Sequence, residues 1–185
     1  KAKKRYITIL VIVIAIVFSM VFVLNQEEKE VPQKAVTIEY VEAKNETSLM
    51  SDIYNQLVTV INRGDKKTER QLVAAYFVSD YYTLSNKEEG EIGGIDYFYA
   101  DKKDDFKYDQ QYVTLPEVVR YDILSNETST KALSGLEDYS YYDVEVQITF
   151  KEKNPILNTL QYTTTVTLIE KDQKFSVVAM ESDNG

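Results

Sequence analysis

The chain has no cysteine, no histidine and no tryptophan, and only 3 prolines and 6 glycines in 185 residues. Without cysteine there is no disulfide and no thiolate nucleophile. Without cysteine and histidine there is no zinc site of the usual ligand set, no Ser-His-Asp triad and no imidazole base. A fold free of cross-links is held by packing alone, which a domain of about 145 residues can manage. Positive charge is also scarce, with 21 Lys and Arg against 30 Asp and Glu.

One hydrophobic run is long. From Tyr6 to Leu24 only Thr8 and Ser19 are polar, and Lys1, Lys3, Lys4 and Arg5 precede it. Its length, at a helical rise of about 1.5 Å per residue, comes to ~28 Å, close to the hydrocarbon core of a bilayer. Basic residues before the run and Glu27, Glu28 and Glu30 after it place the N-terminus inside and the bulk of the chain outside. The exit, Val23-Leu24-Asn25-Gln26-Glu27, has no small-x-small cleavage site, so the sequence predicts an uncleaved anchor rather than a signal peptide. The expected organisation is a cytoplasmic tail at 1–5, a transmembrane helix at 6–24, a linker at 25–34 and an extracytoplasmic domain at 35–185. All 30 acidic residues and 17 of the 21 basic ones follow the run, giving that part a formal charge of −13. A surface of that sign repels nucleic acid, so no nucleic-acid partner is expected. Sequons at Asn45 and Asn126 are of a kind common by chance, and the Lys/Glu/Tyr/Asn-rich, cysteine-free composition suits a Gram-positive bacterial surface protein.

Past the linker, Val36, Ile38 and Tyr40 alternate with polar residues, as a short strand over 35–42 would. Leu49, Ile53, Leu57, Val60 and Ile61 then share one helical face, with Thr47 or Ser48 as N-cap and Gly64 as the stop. Thr68-Glu69-Arg70-Gln71 has capping-box spacing and opens a second helix through Leu72, Val73, Tyr76, Phe77, Asp80 and Tyr81 to about Leu84. After a polar loop closed by Gly93-Gly94, Asp96 is placed to cap a third helix from Tyr97 to about Gln110, facing inward with Phe98, Tyr99, Lys102 and Phe106.

Beyond Pro116 the period changes to two. Val119, Tyr121 and Ile123 alternate, and 126–137 reads as a loop. Tyr142, Val144, Val146, Ile148 and Phe150 form one face of a strand, and Leu160, Tyr162, Thr164, Val166 and Leu168 one face of the next. Asn154-Pro155 with Asn158 separates these two, and Lys171-Asp172-Gln173 turns into a last strand from Phe175 to Met180. Helices followed by one-sided strands predict an α+β domain, an antiparallel sheet with one face packed on helices and the other solvated.

This order of parts resembles a nuclear transport factor two-like domain on a membrane anchor, as in the bitopic assembly factors of type IV secretion and conjugation systems. The residues that carry the likeness are the segment from Leu72 to Tyr82, the glycine loop after it and the aromatic, acidic stretch from Tyr97 to Phe106. The resemblance implies a cone-like, curved sheet and a non-enzymatic structural role in an envelope-spanning complex, with other subunits and further copies of the chain as partners. A ligand-binding or sensing domain with a pocket inside the curved sheet is the alternative.

On such a fold Asp80, Tyr76 and Tyr81 are the inward candidates for acid–base work, but 15 tyrosines are a compositional bias and most belong in core or rim. No catalytic residue and no cofactor is assigned. Asp101, Asp104, Asp105 and Asp109 are spaced to spread over a solvated helix face, interleaved with lysines, so no metal site is assigned either. The residues singled out for protein contact are Tyr97, Tyr99, Tyr139 and Tyr141, because exposed tyrosine marks interfaces.

Overall fold

A computed structural model of the chain describes residues 40–100, 116–155 and 157–182. The chain divides into two units, Lys1–Ala35 and Val36–Gly185, and the described residues all belong to the second. The expected span and linker lie outside them, as do Asp101, Asp104, Asp105 and Asp109. Among the described residues no helix is long and apolar enough to cross a membrane.

Two helices pack on a four-stranded antiparallel sheet. Helix α1 spans Ser48–Arg63 and α2 spans Lys66–Tyr82. Thr47 caps α1 by accepting the Met50 amide at 3.3 Å, and Gly64, at φ +70°, ends it with its N–H turned back to Ile61 and Val60. The expected capping box at Thr68 is not the start of α2. Asp65 is the cap, accepting from the Thr68 amide at 3.1 Å and from its hydroxyl at 2.6 Å, so Thr68 lies inside the first turn. A carboxylate that takes both groups satisfies a free helical amide and sits favourably at the positive end of the helix.

Helix α2 lies against all four strands, and α1 rests mainly on α2. Residues Leu72 through Tyr81 of α2 are all buried, together with Glu69. Tyr76, Phe77, Phe150, Phe175, Met50, Ile53, Leu57 and Ile148 are among the largest fully buried side chains, each contributing about 1.5–3 kcal/mol of apolar burial.

The third expected helix does not begin at Tyr97. Ile95–Tyr97 is a single 3-10 turn entered from Gly94 at φ +75°, and the chain then extends: Phe98 bridges Val177 in parallel and the Tyr99 amide donates to the Val177 carbonyl at 2.8 Å. The glycine pair permits this route. A Cβ on Gly93 would stand 2.1 Å from the Asp80 carbonyl oxygen, and one on Gly94 2.6 Å from the Phe77 ring. Residues 40–42, expected at the end of a strand, are also not strand.

The strands are β1 (Val118–Thr128), β2 (Tyr141–Asn154), β3 (Thr159–Lys171) and β4 (Lys174–Ser182), paired in sequence order. Strand β1 runs two residues past Asn126, where a loop was expected, because Asn126, Glu127 and Thr128 stay in register with Val144, Asp143 and Tyr142. Register shifts in β1 leave Val119 and Leu124 as extra residues, so Val118 takes the core position expected of Val119. Leu160, expected inward, is 51 % exposed, beside the irregular stretch where β2 and β3 lose register after Thr149. Asp172 and Gln173 form the two-residue turn into β4, both at positive φ.

The second face of the sheet is not wholly solvated, as alternation alone would have it. Leu136, Tyr141, Ile169 and Val178 form a smaller buried cluster there, packed by Tyr99, Leu133 and Tyr139. A register shift between Thr167 and Leu168 turns Val178 onto that side, next to Val177 in the main core.

Candidate functional site

Four tyrosines from four segments meet at one end of the helical layer. The Tyr97 ring stacks between Tyr40, at 5.8 Å and 11°, and Tyr76, at 5.0 Å and 28°; Tyr54 of α1 tilts onto Tyr76 at 5.9 Å. The hydroxyls tie the same segments together. Tyr40 donates to the buried Glu69 carboxylate at 2.9 Å and accepts the Phe175 amide at 2.8 Å. Tyr76 donates to Glu46 and accepts the Ala43 amide at 2.8 Å, and Tyr54 donates to the Tyr40 carbonyl at 2.9 Å. The Tyr97 hydroxyl is buried and has no hydrogen-bond partner among the described residues.

Burial, reinforced by carboxylates close by, raises the phenols of Tyr40 and Tyr76 far above the ordinary tyrosine range, and burial does the same to Tyr97. Desolvation disfavours a phenolate, so these groups stay neutral donors. That is the wrong direction for a general base near neutral pH.

Two acids of α2 are buried with them. Glu69 is 2 % exposed and pairs with Lys66 at 3.0 Å as well as with Tyr40. Asp80 holds the glycine loop: one oxygen takes Lys87 at 2.5 Å and the other the Gly94 amide at 2.6 Å. Glu69, Leu72, Tyr76 and Asp80 follow one another at helical spacing, so the acids extend the apolar stripe of α2 at both ends. That stripe was the available signal for Glu69, which the sequence reading left unassigned along with Tyr40 and Lys87. The structure does bring Asp80 and Tyr76 into one neighbourhood, but both Asp80 oxygens are taken. Tyr81 stands apart, stacked on Phe77 at 5.9 Å and edge-on to Tyr82 at 4.8 Å.

Two clefts open beside the stack. One, of about 560 Å³, lies between the α1–α2 and β3–β4 turns, with Arg63, Lys66 and Lys174 as its cations and Glu69 and Asp172 as its anions. The other, of about 470 Å³, lies between residues 41–44 and 91–97, with Asp80 and Tyr97 among its walls. The first cleft is mixed in charge, whereas the second sets Glu42, Asp80, Glu91 and Asp96 against Lys44, and no group of three metal-ligating side chains occurs among the described residues.

The four tyrosines singled out for contact separate into two pairs. Tyr97 and Tyr141 are interior, at 3 % and 4 % exposure. The Tyr141 hydroxyl donates to the Leu136 carbonyl at 2.7 Å and accepts the Leu133 amide at 3.1 Å, fastening the loop that covers the second face. Tyr99 and Tyr139 are half-buried, with ring centroids 6.4 Å apart. The Lys171 ammonium donates to the Tyr99 hydroxyl at 3.0 Å and lies 5.0 Å from its ring centroid. Compared with known proteins, the chain matches no family model, no curated protein and no solved structure.

Proposed function

We propose that this chain is a membrane-anchored, non-enzymatic component of an envelope-spanning complex, of the conjugative or type IV secretion kind, whose extracytoplasmic domain contacts neighbouring subunits. The observation that carries the reading is the commitment of buried acids and phenols to the fold. Glu69, Asp80, Tyr40 and Tyr76 each hold together segments distant in sequence, as the residues of a scaffold do. The basic head and apolar run at 1–24 supply the anchor, and the charge of −13 beyond it suits a soluble, exported body. The cone-like curvature belongs to the same proposal, supported by two bulges in β1 of the kind that bend a strand.

An extracytoplasmic ligand-binding domain is the second reading, favoured by clefts of about 560 and 470 Å³, within the usual range for small-molecule sites. Under that reading the ligand sits in a cleft beside the tyrosine stack, because Phe77, Phe150, Phe175 and Leu168 fill the layer between α2 and the sheet.

Photoreactive residues at Tyr99 and Tyr139, placed one at a time in the full chain in its native membrane, separate the two. Mass spectrometry of the adducts is expected to find other envelope-complex subunits. A chain that yields no protein adduct at either position overturns the assembly reading and favours the cleft.

A further inference from the structure

The two edges of the sheet are treated differently. The outer edge of β4 is covered by Phe98 and Tyr99, whereas among the described residues no strand lies beside the outer edge of β1. Proteins protect such an edge with lysine, proline, shortness or bulges, and the two bulges of β1 lie at the ends of the Arg120–Ile123 stretch rather than within it. Strand β1 is 11 residues long and contains neither lysine nor proline. It also carries Val119 and Leu124, two of the four large hydrophobic residues that stand exposed among the described residues, at 43 % and 51 %. Their bulges bound a regular stretch, Arg120 to Ile123.

We infer that this stretch is a self-pairing edge: β1 of one copy joins β1 of a second copy, antiparallel, about a two-fold axis at Tyr121. The charges select both the partner and the register. Arg120 and Asp122 stand opposite Thr149 and Gln147 of β2, on the same face of the sheet, with Tyr121 between them on the core face. Antiparallel pairing centred on Tyr121 sets each Arg120 against the other copy's Asp122, and each Val119 against the other copy's Ile123. Moving the centre by one residue, to Arg120 or to Asp122, sets like charges directly against each other. Both side chains are available, at 67 % and 39 % exposure, and already attract each other within one strand at 2.9 Å.

Exposed charges over a few residues make a weak contact in free solution. The proposed anchor confines the copies to one plane and raises their effective concentration. The inference rests on the assembly reading for that anchor.

The absence of native cysteine makes the test clean. Tyr121→Cys in the full chain, in a bacterial cytoplasmic membrane, places each thiol opposite its own copy at a separation that antiparallel pairs and disulfides share. Oxidation is expected to give a covalent dimer, with little from Leu160→Cys, a more exposed position elsewhere on the domain. Adding R120D or D122R should lower the dimer yield about tenfold, and adding both should restore it. Dimer no more abundant than from Leu160→Cys, or unmoved by the single reversals, overturns the inference. If that happens while adducts from Tyr99 and Tyr139 persist, self-pairing falls and the assembly reading stands. If the dimer forms and follows the charge cycle while those adducts are missing, self-pairing stands and the wider assembly reading falls.

Discussion

Helices α1 and α2 are consecutive and nearly equal in length, 16 and 17 residues, yet they meet water in opposite ways. Helix α1 buries Met50, Ile53 and Leu57 and shows Asp52, Asn55, Gln56 and Thr59 to solvent. Helix α2, between α1, the sheet and the glycine loop, is buried on every side over Leu72 to Tyr81. A helix with one wet face leaves its polar residues in water. One covered all round must take them inside, where each charge needs a partner. Glu69 finds Tyr40 and Lys66, and Asp80 finds Lys87 and Gly94.

The largest break in that contrast should come from Asp80→Ala. It leaves the Lys87 ammonium, whose side chain is 4 % exposed, without its counter-charge, and it frees the Gly94 amide. Removing one partner of a buried pair costs about 3–5 kcal/mol, whereas Gln56→Ala on the wet face of α1 should stay within about 0.5 kcal/mol. Urea denaturation of both variants checks this, and equal midpoints would refute the distinction.

Alkaline pH probes the same layer with a somewhat smaller effect. The phenols of Tyr40, Tyr76 and Tyr97 are raised in the folded state, chiefly by burial. Above their unfolded value near pH ~10, the unfolded chain therefore loses protons first, and stability falls as pH rises. Below that value their contribution is fully present. By about pH 10.5 the three together should remove roughly 2–3 kcal/mol. Tyr97→Phe should reduce the loss by about one third, because it deletes one of three such phenols. Denaturation midpoints from pH 8 to 10.5, read beside phenolate absorbance, give the slope; a flat profile would show that these tyrosines are not sealed.

The same contrast explains what could be read in the sequence. Helix α1 was legible at both ends and along its face, since Thr47, the apolar period and Gly64 all act locally. The alternation of Val144, Val146, Ile148 and Phe150 was legible too, because a period of two is fixed by the strand itself. Bulges at Val119, Leu124 and Val178 were not, because they arise from pairing with a neighbour. Nor was the path after Gly94, where Val177 offers Tyr99 a carbonyl that no local pattern announces. At the site, the helical stripe pointed to Asp80 and Tyr76 as inward residues. The union of Tyr40, Tyr54, Tyr76 and Tyr97 depends on segments up to 57 positions apart and leaves no local trace.

Helix ends are where α1 and α2 should respond alike, since a cap acts within one turn whatever the burial beyond it. Thr47 accepts the Met50 amide and Asp65 the Thr68 amide, each three residues on. Thr47→Ala should cost about 1 kcal/mol, and Thr47→Asp should recover most of it by restoring an acceptor at the positive end of the helix. Asp65→Ala should destabilise in the same direction. Its carboxyl is held below the usual range by the Thr68 hydroxyl and amide, so its contribution is present above that range and fades as pH falls through the lowered value. Thermal midpoints at neutral and acid pH test this pairing. A Thr47 effect that survives acid, beside an Asp65 effect that vanishes there, would separate the neutral cap from the charged one.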